Sequence, residues 1–401
     1  MLVSRQGVHA TTSRAYARRA VPSPAARKHI GSELLVRKHL GVRPALATAA
    51  VLMGLTAVST AVSTTAEAAT PPLSDPRVVA HFDRPNGQVA ESVVVEPDGS
   101  VDVGFILSRQ VAHVSLDGRV EVLATMPLPA DGGVNTPRVG APNVTGIERT
   151  EDGTLYFLYS AGDSHLTGLW KLPPGGEPTR FAALPAASFA NGLARDRRTG
   201  NFYITDSTLG KVWRVRPHGG AATVWAGGHD LSPTDFFGPN GVKVHNGAVW
   251  VSNSDRGTIL RIPLTGGGTA GRPQIKVAGL DSVDDFAFTG RGDQLLAALN
   301  LPSEVVLITP GRPGRTVLDQ HDGLRNTTAV AVAGDTVHVT SGALTTGGDA
   351  NLLTARLPRP HRTDRSVATP SGNSSTPSTR SSSSRSRASA SAGVSTSSSC
   401  P

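Results

Sequence analysis

Between Val89 and Arg356 the chain alternates apolar and polar residues at a period of two, in short runs broken by Asp-Gly, Asn-Gly and Gly-rich turns. Such runs predict β-strands joined by hairpins. Asn201 to Asp206 and Lys211 to Arg216 predict one hairpin across the turn Ser207 to Gly210. Ala248 to Asn253 and Thr258 to Ile262 predict its counterpart, followed by a glycine turn at Gly266 to Gly268. Helical periodicity is almost absent.

The strand pattern recurs as a longer unit: a polar residue, three or four alternating apolar residues, a turn, and two further strand-like runs. Its instances begin at Glu91, Thr145, Asn191, Asn240, Asp285 and Thr328, a spacing of 43 to 54 residues. That is the period of a four-stranded propeller blade, so the expected fold is all-β, a six-bladed β-propeller. The strand-like run Arg77 to Phe82 precedes the first full unit. It is expected to pair with the last blade and close the ring without an exposed edge.

Outside this region the chain changes character. The stretch Arg37 to Arg43 is basic, Pro44 to Val58 is apolar, and Ala66-Glu67-Ala68 has the small-x-small pattern of a cleavage site. An apolar run of this length is too short to span a bilayer comfortably and reads as a signal peptide. Residues 1–69 are therefore expected to be a signal peptide with a long basic n-region, 70–76 a linker, 77–358 the propeller and 359–401 a disordered Ser/Arg-rich tail. The expected location is secreted or cell-surface, with no stable membrane span after signal cleavage. Cys400 is the only cysteine, so no disulfide or cysteine-based metal cage serves the core.

The net charge of +8 belongs to the ends. Met1 to Pro44 carries nine basic residues against one acidic, Arg359 to Pro401 six against one, and the middle 24 against 29. A nucleic-acid-binding surface belongs on a basic folded domain, so nucleic acid is not an expected partner, and no obligate protein partner is inferred.

In a propeller the inner strand of each blade lines the channel, so the six unit-opening residues converge at one mouth. Glu91 and Asp285 supply carboxylates, and Asn191 and Asn240 amide carbonyls. These are hard oxygen donors of the kind Ca²⁺ or Mg²⁺ prefers. Spacing alone serves equally well for strand caps or for binding channel waters. Neither a Gly-x-Ser-x-Gly elbow nor a His-Glu-x-x-His helix is present. Histidines such as His113, His245 and His338 occupy unrelated repeat positions and are expected at the surface or in loops. Asp206, Asn253 and Asp255 are expected to serve hairpin turns, and the four tryptophans to pack between blades.

The stretches Ala190-Asn-Gly-Leu-Ala, Tyr203 to Val215 and Gly238-Pro-Asn-Gly-Val resemble the senescence marker protein, gluconolactonase and luciferin-regenerating enzyme family of six-bladed propellers. The resemblance covers most of Val89 to Arg356. It implies a divalent cation, Ca²⁺ foremost with Mg²⁺ or Mn²⁺ as alternatives, held by Glu91, Asn240 and Asp285. Asn191 would face the substrate, with Thr145 and Phe189 nearby. A shifted match makes Asn191 and Asn240 the two later ligands. The implied activity is hydrolysis of a lactone or ester, a small-molecule substrate, with Asp285 taking the proton from the attacking water. The sequence departs from the family pattern in three places. Ser92-Val93 replaces Gly-Pro after Glu91, Phe286 replaces Gly after Asp285, and Phe189 replaces an Arg that grips sugar hydroxyls, which favours a more apolar substrate. The competing reading is a non-catalytic ligand- or partner-binding propeller, because fold does not settle function.

Overall fold

The computed structural model describes residues 73–358. The expected signal peptide and Ser/Arg-rich tail lie outside the described residues, as do residues 70–72 of the linker. No helix among the described residues is long and apolar enough to cross a membrane.

The described chain forms six four-stranded antiparallel sheets. Strand β1 (Ser74–His81) comes first. Blade 1 is β2 (Ala90–Val95), β3 (Val101–Phe105), β4 (Gln110–Val114) and β5 (Val120–Thr125). Blade 2 is β6 (Asn143–Arg149), β7 (Leu155–Ser160), β8 (Gly168–Leu172) and β9 (Thr179–Ala183). Blade 3 is β10 (Ala190–Arg195), β11 (Phe202–Asp206), β12 (Lys211–Val215) and β13 (Thr223–Gly227). Blade 4 is β14 (Pro239–His245), β15 (Ala248–Asn253), β16 (Thr258–Pro263) and β17 (Gln274–Val277). Blade 5 is β18 (Val283–Phe288), β19 (Leu295–Leu299), β20 (Glu304–Ile308) and β21 (Arg315–Leu318). Blade 6 takes β22 (Thr327–Ala333), β23 (Thr336–Ser341) and β24 (Asn351–Arg356) from the end of the domain and β1 from its start.

This last sheet closes the ring as the sequence predicts: β1 pairs antiparallel with β24, Val78 opposite Leu353 and His81 opposite Asn351. The two termini of the domain are thereby hydrogen-bonded into one sheet, and the outer edge of blade 6 is made by the N-terminal strand. The predicted hairpins also form. Asp206 stands opposite Lys211, and Asn253 opposite Thr258.

Blades adhere through apolar faces. Leu158, Leu169, Leu193 and Ile204 pack blades 2 and 3 together. Val242, Val249 and Leu260 join Tyr203 and Val212 between blades 3 and 4. Close approach at the centre demands glycine in three inner strands. A Cβ on Gly192 would collide with the carbonyl oxygen of Asn240 in the next blade, and Gly146 and Gly241 are similarly hemmed in. Side-chain hydroxyls in the turns after β11 and β15 tie those blades to the inner strand of the next one as well. Ser207 Oγ donates to the Pro239 carbonyl at 2.6 Å, and Ser254 Oγ to that of Val283 at 2.7 Å.

The turn residues do structural work. Asp206 accepts from Leu209 N at 3.0 Å and from Trp213 Nε1 at 3.0 Å. The Asp255 carboxylate accepts four successive backbone N–H groups, Thr234 to Phe237, at 2.8 to 3.1 Å.

Candidate functional site

Strand pairing fixes which residue of each blade occupies the same place in the ring. Val93, Ile147, Leu193, Val242, Phe286 and Val330 each sit opposite the corresponding residue of the neighbouring strand: Val103, Phe157, Ile204, Val251, Ala297 and Val339. Two positions earlier stand Glu91, Thr145, Asn191, Asn240, Asp284 and Thr328. Five of the six are the residues the sequence analysis picked. In blade 5 the ring position belongs to Asp284, not Asp285: Asp284 stands two residues before Phe286, which pairs with Ala297. Asp285 takes the next position, where blades 2, 3 and 4 have Gly146, Gly192 and Gly241.

Glu91, Asn191, Asn240, Asp284 and Asp285 line one small cavity of about 40 Å³ on the channel axis, with Lys243 at its side. That is room for a water or an ion with little else. Thr145 and Phe189 do not line it. The Thr145 hydroxyl donates to the Ala190 carbonyl at 2.7 Å, and Thr328 Oγ1 makes the equivalent bond to Ala90 O at 2.9 Å, so both threonines brace neighbouring blades.

The electrostatics of the cavity follow from burial of like charges. Asp284 is 8% exposed. Its carboxyl is pushed up to about 8, first by burial and then by the charge of Asp285, against the opposing hydrogen bonds from Asn300 and Asn240. Asn300 Nδ2 donates to Asp284 Oδ2 at 3.0 Å. Glu91 is raised well above the usual carboxylate range by burial and then by Asp284 and Asp285. Asp285 has a different partner: Lys243 Nζ lies 2.6 Å from its Oδ1. Lys243 stands three residues beyond Asn240 in β14. Beside it Glu148 is raised to about 7 by burial, with Lys243 the first of the charges that oppose the shift. Sequence reasoning missed Lys243 and Glu148. Both fall at the same place in their blades, one past the paired residues Val242 and Ile147, so aligning the blades would have brought them together.

The donor set suits a hard divalent cation. Among the described residues no group of three or more His, Cys, Asp and Glu side chains is placed to hold a metal ion, so a cation here would draw on amide oxygens as well as the two ring carboxylates. Asn191 uses Nδ2 on Ser207 Oγ at 3.2 Å and Asn240 uses Nδ2 on Ser254 Oγ at 3.0 Å, which leaves each amide its carbonyl oxygen as a ligand. Two buried carboxyls, Glu91 and Asp284, raised by burial and by the charge of neighbouring carboxylates, are what a cation would relieve.

Above the cavity, on the face where the inner strands begin, the loops meet in an apolar collar. Val89, Ile106 and Phe189 are buried, with Val139, Phe237 and Leu344 packed against them. Phe189 is 1% exposed, its ring 4.8 Å from that of Phe237. The loop bearing Phe236 and Phe237 is the one pinned on Asp255. Arg138, from the long β5–β6 connection, reaches it, lying 5.8 Å from the Phe236 ring and donating to the Asp235 carbonyl at 3.2 Å.

No protein-family model matches the chain, and no curated protein matches it by sequence. Solved structures match in fold. An auxiliary nutrient binding protein from Bacteroides thetaiotaomicron has a TM-score of 0.53 at 9% identity, over 70% of this chain and 75% of that one. A gluconolactonase from Xanthomonas campestris has a TM-score of 0.51 at 15% identity, over 72% of this chain and 99% of that one. A streptogramin B lyase has a TM-score of 0.50 at 12% identity, over 71% and 98%. At these identities the likeness establishes the propeller fold; the particular family named from the sequence is not established by it.

Proposed function

We propose that the protein is an exported, divalent-metal-dependent hydrolase of a lactone or ester, with its reaction centre at the Glu91–Asp284 end of the channel. The observation that carries this reading is the convergence of Glu91, Asn191, Asn240 and Asp284 on a cavity the size of an ion, with both carboxyls raised. Glu91, Asn240 and Asp284 would hold the cation, Ca²⁺ in the first instance, and Asn191 would orient the substrate. The cation, when bound, supplies Lewis-acid polarisation of the carbonyl. Asp285 accepts the proton of the attacking water, and the Lys243 ammonium on its Oδ1 balances the charge of the site as that proton moves. The collar of Phe189, Phe237, Ile106 and Val89 keeps bulk water from the cavity and favours an acyl or ring portion that is apolar over a polyhydroxylated one.

The test is turnover on a panel of lactones and aryl esters with Ca²⁺ or Mn²⁺ present. Asp285→Asn is expected to lower kcat by about 10²-fold or more while leaving cation binding intact. Activity on no member of the panel, or full activity in Asp285→Asn, contradicts the hydrolytic reading. One observation favours a second reading, a non-catalytic ligand-binding propeller: the buried ring of Phe189, with Phe237 packed on it, covers the mouth, and the cavity beneath it is too small for a substrate. That reading expects cation binding, or a ligand at the collar, with no turnover.

A further inference from the structure

A cavity of about 530 Å³ lies away from the channel, between blades 1 and 2 on the face opposite the collar. The blade pattern differs here. At the second-strand position that packs toward the next blade, blades 2, 3 and 4 carry Tyr156, Tyr203 and Trp250, blade 5 carries Leu296 and blade 6 carries the buried His338. Tyr156 stacks 4.6 Å from Phe202, Trp250 lies 5.2 Å from Phe288, and Tyr203 and Leu296 join inter-blade cores. Blade 1 carries Asp102 there, opposite His113 in β4. A short carboxylate stands where the other blades carry larger side chains, and a cavity opens beside it. Burying that carboxylate costs free energy that an apolar residue would not.

The cavity's polar wall is a connected chain of charges. Asp102 is 2% exposed, and its Oδ1 lies 3.0 Å from His113 Nδ1. The Glu96 carboxylate stands beside it on the same wall of the cavity. Glu96 Oε2 lies 2.5 Å from Arg149 Nε, which reaches across from blade 2. Asp98 sits at the rim, its Oδ1 held by Ser100 at 2.6 Å. Glu121, opposite His113 in β5, is exposed and lies 3.9 Å from Arg119. The other walls are apolar: Leu123, Leu155, Leu172, Pro173 and Pro174.

We infer that this inter-blade cleft is a second ligand site, one that takes a small molecule with a primary ammonium group on a short apolar body. Glu96 and Asp102 present two carboxyl groups to the cavity against the one guanidinium of Arg149. An ammonium supplies the second cation, and its N–H groups can donate to both carboxylates at once. The apolar walls accept the hydrocarbon. A carboxylic acid of the same shape would add a negative charge beside Asp102, and an alcohol would leave the pair's charge unanswered. Burial, and then the Glu96 hydrogen bond, raise Asp102 to about 7, so binding exchanges a proton for the ligand near neutral pH.

The test is calorimetric titration of hexylammonium chloride into the full-length purified protein, with hexanoate and hexanol as controls. Each titration is run at pH 6 and pH 8 and in two buffers of different ionisation enthalpy. The expected result is one saturable site for hexylammonium alone, tighter at pH 8 by about tenfold, with a proton released at pH 6. Asp102→Asn is expected to weaken binding at least tenfold. Leu123→Trp, which fills the cleft without touching the charges, is expected to abolish it, so the inference does not depend on one variant folding. Asp284→Asn in the channel should leave it unchanged. Absence of saturable binding, equal binding of hexanoate, or full affinity in both cleft variants overturns the inference.

Discussion

Lys243 Nζ lies 2.6 Å from Asp285 Oδ1, while Asp284, the adjacent residue, receives only amide hydrogen bonds. Two neighbouring carboxylates thus have opposite surroundings. Asp285 has a cation already; Asp284 and Glu91 are the pair that lacks one. Removing the ammonium should expose this division of labour. Lys243→Met is expected to destabilise the metal-free protein by about 2 kcal/mol, short of the ~3–5 kcal/mol for breaking a fully buried pair, since Lys243 is partly exposed. The same variant is expected to bind Ca²⁺ more tightly, because the cavity becomes more negative. Chemical unfolding with and without Ca²⁺ reads both effects, and Ca²⁺ should recover most of the lost stability.

Asp284 sets a pH dependence of definite sign. Its carboxyl titrates near 3.8 when unfolded and near 8 when folded, so between those values the folded protein holds a proton that unfolding releases. Stability from this group is complete below about pH 4 and is lost as pH rises through 8, at up to about 1.4 kcal/mol per pH unit. Asp102 and Glu148, both raised to about 7, add to the same slope. The useful quantity is therefore a difference: urea unfolding of the metal-stripped protein at pH 5, 6.5 and 8 is expected to show a flatter fall in Asp284→Asn. An unchanged slope would contradict the assignment.

The collar governs access. Phe189→Ala removes a ring that is 1% exposed and is expected to cost about 3–5 kcal/mol. It should also speed the release of bound Ca²⁺ to a chelator in stopped-flow measurements, because Phe237 loses the ring it packs against at 4.8 Å. Release at the parent rate would mean the cation reaches solvent by another route.

Asp255 holds the loop that carries Phe236 and Phe237. Asp255→Ala frees four backbone N–H groups at once, and the expected signature is local: faster hydrogen exchange at residues 234–237, with the rest of blade 4 unchanged.

The repeat made the architecture legible in the sequence. Period-two strands at a regular spacing leave few folds, and the run from Arg77 to Phe82 had no other partner than the last blade. Residue-level register was less legible. Asp284 and Asp285 are adjacent acids in a strand whose pairing is irregular, so alternation does not say which one enters the ring. The better signal was Asn-Gly at 191 and 240: aligned on it, Asp284 matches Asn and Asp285 matches Gly. Asn191, Asn240 and Glu91 were legible because none has a second acid beside it in the sequence. The same repeat shaped the view of the histidines. His113 pairs with a buried carboxylate of its own blade rather than standing free at the surface, a contact made across strands that no spacing along the chain announces.

The central claim is that Glu91 and Asp284 hold a divalent cation at the channel. Its most direct test is calorimetric titration of Ca²⁺, then Mn²⁺, into the metal-stripped protein at pH 7.5, beside the Glu91→Gln, Asp284→Asn double variant. One saturable site in the parent, lost in the double variant, is the result expected. No binding in the parent, or undiminished binding in the double variant, would contradict it.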